Sequence, residues 1–94
     1  MTDSPAGGPT AGDRPVAWLD QRGQRCPIPI VTLARARRAY PPGSVVALVA
    51  DDPGAQADVP AWCRLKGAEL LGTTAPRDGG PGTAYLVRLP PGAP

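Results

Sequence analysis

Apolar positions recur along the chain with a spacing that changes from block to block, and each change predicts a new element. The run Val-Ala-Trp-Leu-Asp at 16–20 predicts a short first strand, closed by the turn-forming Gly23. From about 29 to 39 the period lengthens. Ile30, Leu33, Ala34 and Tyr40 fall in one arc at 3.6-residue spacing, which predicts a helix. Arg35 and Arg38 lie off that arc, and Arg37 intrudes on it near the end, where its stem can lie on apolar surface with the charge in water. Pro41, Pro42 and Gly43 stop the helix. Residues 44–50 are a continuous run rich in β-branched side chains, the pattern of a strand central in its sheet.

Asp51-Asp52-Pro53-Gly54 predicts a turn into a second helix. Asp58 is its expected N-cap, with Pro60 in the first turn and Gly67 as the C-terminal glycine. Val59, Trp62, Cys63 and Lys66 share the i, i+3, i+4, i+7 stripe, so Cys63 is expected to be an inert core cysteine. Residues 68–74 and 84–89 predict two more strands, with an exposed glycine-rich loop at 76–82 between them. The order implies an α/β fold, a two-layer βαβαββ sandwich with a four-stranded mixed sheet and both helices on one face.

Length and composition narrow this picture. Ninety-four residues make one small domain, expected over 16–90. Residues 1–15, mostly Pro, Gly, Ala, Ser and Thr with almost nothing to bury, predict a disordered tail. With two Trp, two Tyr and no Phe, the core is aliphatic and Trp18 and Trp62 are its expected large pieces. A net charge of +2 is too weak to point to nucleic acid. No apolar run reaches the roughly eighteen residues of a membrane span, and no signal-peptide pattern opens the chain. A cytoplasmic location with reduced thiols and no membrane insertion is therefore expected.

Cysteine usage directs the chemistry. Cys26 and Cys63 form no CxxC pair, and with no histidine in the chain neither a metal site, a bound cofactor nor a histidine-activated nucleophile is expected. Cys26 stands in Arg22-Gly23-Gln24-Arg25-Cys26-Pro27-Ile28-Pro29, at a loop-to-helix junction. The residue before a proline is pushed out of the α region, which suits Cys26 to the N-cap with Pro27 in the first helical position. Pro29 falls within the first turn, where a missing N–H costs little. The helix dipole, free donors such as the Ile28 N–H, and the charges of Arg22 and Arg25 are expected to lower the Cys26 pKa and form a thiolate. A thiolate with no general acid or resolving partner suits group transfer by thiol exchange better than hydrolysis.

These residues resemble the small sulfur-carrier proteins of the TusA, SirA and YedF type. The resemblance spans about residues 16–89 and is carried by Leu19-Asp20-Gln21-Arg22-Gly23-Gln24-Arg25-Cys26-Pro27-Ile28-Pro29. A second stretch contributes Asp52-Pro53-Gly54-Ala55, then Asp58-Val59-Pro60-Ala61-Trp62-Cys63, then Gly67 and Glu69-Leu70-Leu71. The family implies a βαβαββ sandwich whose CPxP cysteine, here Cys26, carries sulfane sulfur as a persulfide. It implies that Pro27 and Pro29 set the geometry and that Arg22 and Gly23 shape the preceding loop. The implied partners are a cysteine desulfurase or rhodanese-like sulfur donor and a downstream sulfur-acceptor protein, in tRNA thiolation, molybdenum-cofactor biosynthesis or sulfur oxidation. Arg37, where the family's first helix often has an apolar residue, and Ala68, where a histidine often stands, depart from the pattern.

Two other readings compete. One is a module of the same shape that binds RNA or a regulator through Arg35, Arg38 and Arg64, a surface that would equally serve protein partners. The other is a component of sulfur-compound uptake that works with a membrane protein.

Overall fold

The computed structural model describes residues 14–91, so positions 1–13 of the expected tail lie outside the described residues. Six elements follow one another: β1 (Ala17–Asp20), α1 (Ile28–Ala39), β2 (Val45–Ala50), α2 (Ala55–Lys66), β3 (Glu69–Thr74) and β4 (Thr83–Arg88). The sheet order is β1-β2-β4-β3. β1 pairs parallel to β2, while β4 is antiparallel to both β2 and β3, so the sheet is mixed, as expected.

β2 is buried along its whole length, which explains its unbroken apolar run. Val46, Leu48 and Ala50 point to the helices together with Tyr85 and Val87 of β4, and Ala17 and Leu19 of β1 join them. Leu33 from α1 and Ala55, Val59, Trp62 and Cys63 from α2 complete this core. Trp18 falls between two helix-facing residues and therefore lies on the other face, where the Arg77 guanidinium stands 5.0 Å from its ring centroid. Trp18 is thus not a piece of the helix-side core. Among the described residues no helix is long and apolar enough to cross a membrane.

Both helices depart in detail from the sequence pattern. In α1 the buried positions are Pro29, Leu33 and Ala36, and Ala34 is exposed. Burial thus runs i, i+4, i+7 from a proline whose ring is itself part of the interior. The helix N-cap is Pro27, one residue later than expected, which places Pro29 and not Pro27 inside the first turn. The Cys26–Pro27 peptide bond is cis. In α2 the helix starts at Ala55, not after Asp58, because the Asp52 carbonyl accepts the Ala55 N–H and Gly54 opens the first turn. Pro60 is consequently in the helix interior. The Gln56 carbonyl that its absent N–H would bond belongs to an exposed residue, where water can serve it. Gly67 ends α2 in the left-handed region at φ 75°, as its position predicted. The β3–β4 loop is not uniformly exposed, since Pro76 is buried.

Leu33 is fully enclosed, whereas Leu65 is 77% exposed. Leu33→Ala is expected to cost about 2–5 kcal/mol and Leu65→Ala less than about 0.5 kcal/mol. Equal shifts of the two urea-unfolding midpoints would contradict this account of the core.

Candidate functional site

Parallel pairing brings the C-terminal ends of β1 and β2 to one edge, with Asp20 opposite Val49. The chain leaving β1 is tied to this edge at once. Gln21 donates its N–H to the Val49 carbonyl at 2.8 Å, and Gly23, at φ 85°, donates its N–H to Asp51 Oδ1 at 3.0 Å. Arg22 clamps the same loop from the other side. Its guanidinium meets Asp20 Oδ2 at 2.8 Å and Asp78 Oδ2 at 2.7 Å, with further bonds to Asp20 Oδ1 at 2.9 Å and Asp78 Oδ1 at 3.1 Å. The Arg22 contact holds the Asp20 carboxyl down at about 2 and lowers that of Asp78. Arg22 is therefore a strut between the β1–α1 and β3–β4 loops, and its charge is consumed there.

Cys26 follows, half-buried against the edge of the core. A Cβ built on Gly54 would touch the Cys26 Sγ at 3.7 Å and stand 2.8 Å from Asp52 Oδ2, so a side chain there would have to displace that carboxylate. Asp52 Oδ2 accepts the Gly54 N–H at 3.0 Å, which anchors that carboxylate beside the sulfur. Asp58, one turn into α2, faces the thiol as well. Tyr85 reaches the same neighbourhood from β4, and burial together with the Cys26 sulfur raises its phenol.

This setting overturns the expected thiolate. The Cys26 thiol is pushed up to about 11, first by burial and then by Asp58 and Asp52. Neither arginine acts on it: Arg22 is spent on its two aspartates, and Arg25 is exposed. The Ile28 N–H is not free but bonds the Arg25 carbonyl at 2.8 Å. The first donors of α2, on Ala55, Gln56 and Ala57, are likewise taken by Asp52, Pro53 and Gly54. Two helix dipoles still favour an anion here, but each is worth only about 0.3–1 kcal/mol, and desolvation with two facing carboxylates prevails.

Cys63 is buried between α2 and the sheet, and burial raises its thiol too. Arg35 and Arg38 come together with Arg37 and Lys66 around a groove between the helices, whereas Arg64 is exposed outside it. The three arginines named for an RNA or regulator surface thus do not form one site. Sequence pattern alone does not place Asp52, Gly54 and Asp58 beside Cys26. Their one signal was that the stretch at 52–58 carried part of the family resemblance.

Because the thiol pKa is raised, its alkylation by iodoacetamide is expected to climb with pH well beyond 9 without reaching a plateau. Asp58→Asn removes one opposing charge and is expected to move the profile to lower pH and speed alkylation at neutral pH. An unchanged or upward-shifted profile would show that Asp58 does not act on the sulfur.

The family comparisons rest on the same segment. A family model described as Sulfurtransferase TusA matches residues 18–88, from within β1 to the end of β4. A Bacillus subtilis (strain 168) protein named "Putative sulfur carrier protein YrkF" is 40% identical over 57 residues, 61% of this chain and 31% of that protein. The matched segment therefore spans under a third of that relative's length. On the match from β1 through β4, the chain belongs to the TusA sulfurtransferase family.

Proposed function

We propose that this chain is a sulfur carrier that holds sulfane sulfur as a persulfide on Cys26, with Pro27 and Pro29 setting the helix start and Arg22 and Gly23 shaping the loop before it. The observation that supports this most directly is the position of Cys26. It is the accessible cysteine of two, at the edge where both helices begin, while Cys63 is enclosed. In loading, the Cys26 sulfur attacks the outer sulfur of a donor Cys–S–SH. The donor S–S bond breaks, the Cys26 S–S bond forms, and the thiol proton passes to the departing donor sulfur. One S–S bond is exchanged for another, so no external oxidant or reductant is needed. Delivery repeats the exchange, with an acceptor nucleophile attacking the outer sulfur and Cys26 leaving as the thiol.

The raised thiol pKa bears on both halves of this cycle. A protonated thiol is a poor attacker, and a sulfur of high pKa is a poor leaving group. The empty carrier is thereby protected from stray electrophiles, and the loaded one is reluctant to surrender its cargo to a passing thiol. Exchange becomes fast once a bound partner shields or neutralises Asp52 and Asp58. A cysteine desulfurase or a rhodanese-like protein is the fitting donor. The acceptor decides whether the sulfur goes to tRNA thiolation, molybdenum-cofactor biosynthesis or sulfur oxidation.

Incubation of the full chain with inorganic polysulfide, followed by intact-mass measurement, is expected to give a species about 32 Da heavier that a reducing agent removes. The adduct should survive Cys63→Ser and vanish in Cys26→Ser. An adduct retained by Cys26→Ser would refute the assignment.

A further inference from the structure

The helix packing leaves an open groove of about 290 Å³ between the outer faces of α1 and α2. Its floor is apolar, made of Val31, Ala34 and Trp62. Its rim carries Arg35, Arg37, Arg38 and Lys66, and no carboxylate lines it. Among the described residues none of these four cations has an ion-pair partner, although Asp20, Asp78 and Glu69 are all engaged elsewhere. The buried Nε of Arg37 has no acceptor within the fold. Favourable placement at helix C-termini accounts for Arg37, Arg38 and Lys66 in part, but not for Arg35, which precedes the last turn, nor for the uncovered apolar floor. The floor also has a direction. Val31, 41% exposed, leads back along α1 to Ile28, 46% exposed, and so to the turn that holds Cys26.

We propose that this groove receives an acidic segment of a partner protein, with an apolar side chain on the Val31–Trp62 floor and carboxylates against the arginine rim. Charge complementarity selects the acidic partner, and the apolar floor selects a protein segment over a nucleic acid. Single-stranded RNA binds by stacking bases on exposed aromatics, and the groove's one aromatic, Trp62, is only 6% exposed. That the partner so seated is the one exchanging sulfur with Cys26 rests on the carrier reading; the occupancy of the groove does not. Docking along α1 would place that partner's surface over Ile28 and the thiol beyond it.

The test is an NMR titration of the isotope-labelled full chain with a synthetic peptide alternating glutamate and leucine, followed at the Trp62 indole N–H and the Val31 and Ala34 amides. Saturable shifts at these positions, weakened about tenfold or more by the Arg35→Glu/Arg38→Glu double variant and by added salt, are expected. Both substituted side chains are exposed, and unchanged thermal unfolding of the variant would confirm that the fold is kept. Absence of these shifts, equal binding of an all-glutamate peptide, tighter binding of oligouridylate, or the same shifts from concentrating the protein alone would each overturn the proposal. Polysulfide loading of Cys26, which needs no docked protein, should proceed equally in the double variant. A chain that binds the peptide but does not load loses the carrier reading, and one that loads but ignores the peptide loses the groove.

Discussion

Parallel pairing of β1 with a fully buried β2 is the constraint from which the site follows. Parallel neighbours end at the same edge, so the chain leaving β1 and the chain leaving β2 emerge side by side, and each turns directly into a helix on the same face. Two helix starts, the Cys26 turn and the Asp51–Asp52 turn must then share one small region. The bonds from Gln21 to Val49 and from Gly23 to Asp51 are the local expression of that shared edge. Ligand and reaction sites in sheets with parallel strands gather at carboxyl ends for the same geometric reason.

Crowding at that edge decides the electrostatics. Gly54 brings the start of α2 against the Cys26 side chain, and with it come Asp52 and Asp58. A half-buried thiol facing two carboxylates remains protonated at neutral pH even with two helix N-termini nearby, because burial and the charges of Asp58 and Asp52 outweigh the helix dipoles. Arg22, the nearest formal cation in the motif, is held by Asp20 and Asp78 as a structural strut. The Cys26 thiol is thus kept protonated by its own fold.

Charge is distributed along the helices in the opposite sense. Asp52 and Asp58 lie where α2 begins, while Arg37, Arg38 and Lys66 lie where α1 and α2 end. Both helices run away from the same sheet edge, so the molecule has an acidic pole carrying the thiol and a basic pole carrying the groove.

Local chemistry in the sequence determined much of this. The unbroken run of β2, the glycine ending α2 at Gly67, and the order of strands and helices are written in short-range patterns that tertiary packing only had to accept. The accessible cysteine was also legible, since a cysteine between arginines and prolines at a loop-to-helix junction has little chance of joining an apolar face. What short-range pattern does not contain is which distant residues meet. Asp58 reads locally as an N-cap, yet helix α2 begins at Ala55 and turns Asp58 toward Cys26. Arg22 reads as a charge for the thiol, yet Asp78, fifty-six positions away, takes it. Ala34 and Ala36 are the same residue type, and only the packed fold settles that Ala36 is buried and Ala34 exposed. A pKa is a sum over neighbours in space, so the identity of the cysteine could be read from the chain, but its protonation state was decided by the packing of β1, β2 and α2.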